Sequence, residues 1–333
     1  MTDAVARRVT SADVARVAGV SRATVSYVLN DTPGQTISGA TRARVRDAAA
    51  MLGYAPSAAA RALRTGRSDV VLCLLPDWPI GHEVGNLLTH LSTELARAGL
   101  TFVVHPGTGA QPPGAELWKA ITPAAVLAFT GFSDPEIAAM RAAGVALVVA
   151  LLGPGTGAGR ELQVPQERIG RLQAAHLADA GHVRLGYAYP DDARVRIFAE
   201  PRLDGVRAAC AGRALPEPEV YTVALEAGAA AAAVRAWRSA GVTAVCAYND
   251  DVALAVLAGM RGTGLAAPAD LALIGVDDLP AARLAAPPLS TVTTDQRAVA
   301  AHLAATVAAA VRGGQRPALD AAGVVRVVRR AST

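Results

Sequence analysis

Residues 9–30 read VTSADVARVAGVSRATVSYVLN, and no other stretch of the 333-residue chain restricts its fold as tightly. Thr10 and Asp13 have the spacing of a capping box, which opens a helix by satisfying its first free amides. Val14, Ala15 and Ala18 supply one apolar face, and Gly19 stands where the helix must stop and turn. Ser21 then caps a second helix, in which Thr24, Val25, Val28 and Leu29 recur at helical spacing. Two short helices about a tight turn form a helix-turn-helix, the unit that lays its second helix in the DNA major groove. The rival reading is an ordinary helical hairpin in the core of an α domain, and the pattern alone separates the two only in part.

The next thirty-odd residues weaken the rival. Residues 38–42, SGATR, open a third helix whose core positions Val45, Ala48 and Leu52 run to Gly53 and Tyr54. Residues 56–67, PSAAARALRTGR, begin a short helix at a proline and end in a basic linker. The words DVARVAGVS-x-x-TVS, S-x-x-TR, LGY-x-P and AR-x-LRTG thus occur in one order. With that spacing the chain resembles transcriptional regulators of the lac repressor/galactose repressor family. The resemblance spans essentially the whole chain, and the first 67 residues carry most of its specificity.

Charge agrees with a nucleic-acid-binding head. Residues 1–67 hold ten arginines and four aspartates, a net of +6, and the remainder is slightly acidic at −2. Attraction of such a head to a phosphate backbone falls steeply with salt. Hydrophobic residues make up 52% of the chain and aromatics only 4%, so the core is built from Ala, Val and Leu. No apolar run reaches membrane-spanning length, and the N-terminus is polar, so neither a membrane span nor a signal peptide is expected. A cytoplasmic, nucleoid-associated protein is the expectation. Cys73, Cys210 and Cys246 sit in apolar contexts without metal-ligand spacing and read as reduced, buried thiols. No cofactor is expected.

From Val70 onward apolar strands alternate with amphipathic helices: strands at 70–75, 101–104, 125–129, 146–151, 183–189, 244–248 and 271–275, and helices at 83–99, 168–181, 203–212 and 250–262. Such alternation predicts parallel sheets covered on both faces, and the length calls for two doubly wound subdomains. The expected fold is an all-α helix-turn-helix head over 1–55, a hinge helix and linker over 56–67, and an α/β body over 68–333. The resemblance implies a periplasmic-binding-protein-like body with three chain crossings, near 163–166, 292–296 and 317–322. It divides the body into an N-subdomain of about 68–164 and 296–317 and a C-subdomain of about 165–292 and 322–333.

In the second helix of the head, Arg22, Ala23 and Tyr27 face outward at the end that meets base edges in this fold. Arg22 suits bidentate pairing with guanine or, failing that, a backbone contact; Ala23 suits a thymine methyl. Thr24 and Ser26 suit phosphates, and Thr10, Ser21 and Asn30 complete the DNA-facing set. Tyr27 stands where the family often has arginine, which leaves the operator sequence open. In relatives the short helix after the proline orders on DNA and inserts a leucine into the minor groove. The matching residue is Leu63; Ser57 replaces the asparagine often found after the proline and can still cap the helix, Ala60 joins the DNA-facing set, and a flexible linker is the alternative.

For a small-molecule effector, the resemblance points to Arg202, Asn249 and Asp277 at the carboxyl ends of strands, where open α/β sheets bind ligands. Asn249 and Asp250 would equally cap the following helix, and Asp278 reads as structural. Trp78, in the loop 77–82, either stacks on a ligand or anchors the loop. After Val164, where relatives carry a ligand-reaching aspartate, the chain reads Pro165-Gln166-Glu167. The function implied is a regulator, in repressor form, that binds an inverted-repeat operator as a homodimer and answers to an effector such as a sugar. The alternative keeps DNA binding with a degenerate cleft. No leucine heptad occupies 325–333, which points to a dimer. An enzyme is not expected: residues 153–159, GPGTGAG, miss the dinucleotide-binding spacing, and no nucleophile elbow or metalloprotease motif occurs.

Overall fold

The computed structural model describes residues 9–30, 32, 34–54, 68–107, 117–129, 131–151, 165–315, 317 and 323–333. The chain forms two compact units, Met1–Asp69 and Val70–Thr333. Ser57, Ala60, Leu63, the glycine-rich loop 153–159 and most of the crossings at 163–166 and 317–322 lie outside the described residues.

The first unit packs three helices, α1 (Ser11–Ala18), α2 (Arg22–Leu29) and α3 (Gly39–Met51). The amide and the hydroxyl of Thr10 both donate to Asp13 Oδ2, at 3.0 and 2.7 Å. Gly19, at φ 64°, lets the chain reverse after α1 in a conformation that a side chain would oppose. Ser21 Oγ accepts the Thr24 amide at 3.0 Å and starts α2. Val14, Val25, Val28, Val45 and Ala48 close the small core.

The second unit holds two sheets. The first has the order β2-β1-β3-β4, all parallel, from β1 (Val70–Leu75), β2 (Thr101–Pro106), β3 (Ala125–Ala128) and β4 (Leu147–Ala150). Around it lie α4 (His82–Arg97), α5 (Leu117–Ile121) and α6 (Asp134–Ala142). The second sheet has the order β10-β9-β8-β7-β5-β6. Its strands are β5 (Leu185–Pro190), β6 (Glu219–Val223), β7 (Ala244–Ala247), β8 (Ala272–Val276), β9 (Ser290–Thr294) and β10 (Val325–Val328). Its helices are α7 (Gln166–Asp179), α8 (Arg196–Gly212), α9 (Ala227–Ser239), α10 (Asp250–Gly262) and α11 (Pro280–Leu284). After β9 the chain leaves this lobe as α12 (Gln296–Arg312), which packs along α4 of the first lobe. Among the described strands, β10 departs from the all-parallel expectation: it pairs antiparallel with β9, which it can do without a covering crossover helix.

Two features hold the second lobe rigid beneath its strand ends. The buried Gln173 amide donates to the carbonyls of Ala247, Ile274 and Gly275, tying β7 to β8. Helices α7 and α8 meet backbone to backbone at a glycine pair. A Cβ on Gly170 would lie 1.8 Å from the Arg202 carbonyl oxygen, and one on Gly205 would lie 2.0 Å from that of Glu167. No larger residue fits either place without moving a helix.

Candidate functional site

In the head, the N-terminus of α2 exposes Ser21, Arg22 and Ala23. The other candidates are engaged locally. Ser21 Oγ and Thr24 Oγ1 lie 2.9 Å apart, and Asn30 Nδ2 donates to the Ser26 carbonyl at 2.7 Å. Tyr27 is half-buried one turn further along the same helix. Thr10 is exposed before α1, its hydroxyl turned to Asp13. α2 thus presents an exposed arginine and a methyl at its leading end, with hydroxyls behind them, the arrangement a major-groove reader needs.

In the body, a cavity of about 460 Å³ opens between the two lobes, and Trp78, Arg202, Asn249 and Asp277 all line it. Arg202, 7% exposed, is its most constrained polar group. Its Nε donates to Gln166 Oε1 at 2.9 Å and its Nη1 to the Tyr248 carbonyl at 2.8 Å, while Nη2 stands 3.9 Å from Asp277 Oδ1. The guanidinium also lies over the Tyr248 ring, 4.9 Å from its centre, and 6.0 Å from that of Phe198. Gln166 therefore meets the arginine from the position where the resemblance led one to look for an aspartate.

Asp277 adopts φ 106° and Asp278 φ 52°, backbone that side chains disfavour. The turn is clamped on three sides. The Asp277 amide donates to the Val292 carbonyl, the Leu279 amide to Asp250 Oδ2, and Arg283 and Arg330 both donate to the Asp278 carboxylate. Burial pushes the Asp277 carboxyl upward, with Arg202 opposing it. Burial also acts on Asp278, but its two arginines win and hold it low. Burial drives buried Asp250 up to about 8 in spite of bonds from Thr291 and Leu279. Asp250 is thus no helix cap but a brace beneath the turn. Asn249 does cap α10, accepting the Val252 amide at 3.0 Å, and still lines the cavity.

The first-lobe wall is built differently. Trp78 packs edge-on against Phe129 of its own lobe and Phe198 of the other, at 5.0 and 4.8 Å between ring centres. It serves as an anchor and as cavity wall together. Glu83, in the first turn of α4, accepts a hydrogen bond from Gln296 Nε2 at 2.6 Å. Burial raises its carboxyl to about 7, the Asp277 charge adding to the effect. Sequence reasoning missed Glu83, Gln296, Tyr248 and Phe198. Glu83 looks like any acidic residue in a first helical turn, and the aromatics look like core.

A helix-turn-helix head joined in one chain to a two-lobed α/β body with a cleft between its sheets defines a class of ligand-responsive DNA-binding regulators. Models of two known families match parts of the chain. The model for bacterial regulatory proteins of the lacI family matches residues 10–57, and that for a periplasmic binding protein-like domain matches residues 174–333. The HTH-type transcriptional regulator CelR of Thermobifida fusca is 30% identical over 308 residues, covering 86% of this chain and 87% of CelR. GalS of Salmonella typhimurium is 30% identical over 300 residues, covering 85% and 84%. The chain belongs to the lacI family of bacterial regulatory proteins. Its fold matches that of the lac repressor dimer bound to operator and the anti-inducer ONPF, with a TM-score of 0.76 at 22% identity, over 98% of this chain and 99% of that one. It also matches the CelR–cellobiose complex, with a TM-score of 0.64 at 25% identity, over 98% and 100%. Among the described residues no helix is long and apolar enough to cross a membrane.

Proposed function

We propose that the protein is a repressor that binds an inverted-repeat operator as a homodimer and changes its affinity when a small molecule enters the cleft. The observation that carries this reading is the cavity of about 460 Å³, walled by both lobes and centred on Arg202, in a chain whose head is a helix-turn-helix. A ligand touching both walls binds one lobe arrangement better than another, which is what coupling to the head requires. A cavity with a braced arginine favours a working cleft over a degenerate one. CelR, whose complex contains cellobiose, makes a sugar or related metabolite the first class to try.

In the head, Arg22 and Ala23 read base edges, Tyr27 adds a contact one turn on, and Thr10, Ser21, Thr24, Ser26 and Asn30 hold the backbone. In the segment 56–67, Ser57, Ala60 and Leu63 contact DNA, with Leu63 wedging the minor groove. In the cleft, Arg202, Asn249, Asp277 and Trp78 hold the effector. The protein acts in the cytoplasm, associated with the nucleoid when bound, and catalyses no reaction.

Selection of bound sequences from random DNA tests the reading: an enriched inverted repeat is expected, and a direct repeat or no motif overturns it. Titration of metabolites into the protein–operator complex tests the cleft, and a complex that no metabolite shifts returns the degenerate alternative.

A further inference from the structure

The charges of the cleft do not balance. Among the described residues five carboxylates line it, those of Glu83, Asp191, Asp192, Asp251 and Asp277, against one guanidinium, that of Arg202, and one imidazole, that of His82, whose charge reaches Asp277. Some have an ordinary explanation. Asp192 pairs with Arg194, and Asp251 lies in the first turn of α10, where a helix dipole favours an anion. Two are less well accounted for. Asp277 stands 3.9 Å from an arginine nitrogen whose neighbours already serve Gln166 and Tyr248. Glu83 receives the neutral Gln296 amide as its side-chain hydrogen bond, besides whatever the start of α4 supplies, and it faces the cavity from the opposite lobe. A partly buried carboxylate against apolar walls costs free energy unless a positive charge meets it.

The remaining walls say what carries that charge. Trp78, Phe129, Phe198 and Tyr248 ring the same space; Arg202 already faces Tyr248 and Phe198, so Trp78 and Phe129 are the rings left for a second cation, which aromatic faces attract. We propose that the cleft is built for an amine-bearing ligand, its ammonium held between Glu83 of the first lobe and Asp277 of the second and its ring or aliphatic body laid against Trp78 and Phe198. The proposal rests on the reading of the cleft as an effector site and narrows it to amino sugars and comparable organic amines. It disfavours phosphorylated and carboxylated metabolites, whose anionic groups would meet Glu83 and Asp277 where the ammonium is placed. An ammonium shared by the two lobes also supplies the differential contact that lobe closure needs.

The test uses the full chain and two matched triples of small probes: glucosamine, glucose and glucuronate, and phenethylamine, 2-phenylethanol and phenylacetate. Binding is read by ligand-observed NMR at millimolar concentration. The amine of each triple is expected to bind about tenfold tighter than its hydroxyl partner, and the carboxylate not at all. Glu83→Gln should erase that preference and Glu83→Asp should keep part of it, with the melting temperature of each variant confirming its fold. Equal binding of hydroxyl and amine, binding of the carboxylates, or a preference that survives Glu83→Gln overturns the proposal while leaving the effector cleft standing. Binding by none of the six probes also overturns it. The effector reading itself falls only if an unfractionated metabolite extract also leaves the melting temperature unmoved.

Discussion

The two walls of the cleft are made on opposite plans. The second-lobe wall is a wired network: Arg202 is held by Gln166, Tyr248 and Asp277, and the turn after β8 is held by Asp250, Arg283 and Arg330. The first-lobe wall carries the side-chain hydrogen bond of Gln296 to Glu83 and otherwise presents rings, aliphatic side chains such as Leu87, Leu151 and Leu303, and an exposed histidine, His82. The contrast teaches that preorganisation is unevenly distributed. One lobe offers a fixed set of hydrogen-bonding groups, and the other offers a face that adapts to what those groups have already oriented.

Four substitutions test whether the two walls differ in this way. The largest effect is expected from Gly170→Ala, which forces a methyl against the Arg202 carbonyl and should cost about 3 kcal/mol in urea unfolding. Arg202→Ala comes next. It strands Asp277 and the Tyr248 carbonyl in a buried setting, costing about 2 kcal/mol, and it should abolish effector response while operator affinity without effector stays near wild type.

Glu83→Gln should act the other way. The carboxyl ordinarily titrates near 4.5 and in the folded protein near 7, so the folded state holds its proton longer than the unfolded chain. Stability from this group is therefore full below about pH 4.5 and is lost as pH rises through 7. The variant should be about 1 kcal/mol more stable than wild type at pH 8 and should flatten the melting-temperature profile between about pH 5 and 8. Some slope should survive it, because Asp250 titrates near 8 with the same sign. The smallest effect is expected from Trp78→Phe, which thins the edge contacts to Phe129 and Phe198 for under about 1 kcal/mol yet weakens ligand binding. If either first-lobe substitution destabilised the protein as much as Gly170→Ala, the two walls would be equally wired and the comparison would fail.

Local chemistry made part of this molecule readable from its sequence. The capping residues Thr10 and Ser21 and the turn at Gly19 fix the first two helices of the head, and the strand at Val70–Leu75 and the helix at Asp250–Gly262 fall where their patterns place them. Other elements hide. α9 is nearly all alanine in its first half and shows little contrast between faces, and β6 at the sheet edge has exposed positions. β9 reads as polar, yet Ser290 and Thr291 are fully buried because Arg330 and Asp250 receive their hydroxyls. α8 begins at Arg196, with Pro201 inside it, so a helix start placed after the proline comes seven residues late. Gln166 and Arg202 lie 36 residues apart and Glu83 and Gln296 lie 213 apart, so no local pattern announces either pair.

That last separation bears on the order in which the molecule is made. The first lobe starts at Val70, but its helix α4 lacks its main helical neighbour until α12, Gln296–Arg312, has been synthesised. The second sheet has by then received its strands through β9. On a ribosome the lobe begun first is therefore among the last to be finished, and α4 leaves the exit tunnel with its α12-facing side uncovered. A nascent chain paused between β9 and α12 would carry a nearly complete second lobe beside an open first one, and proteolysis of such a stalled chain should cut around α4 while sparing β5 to β8.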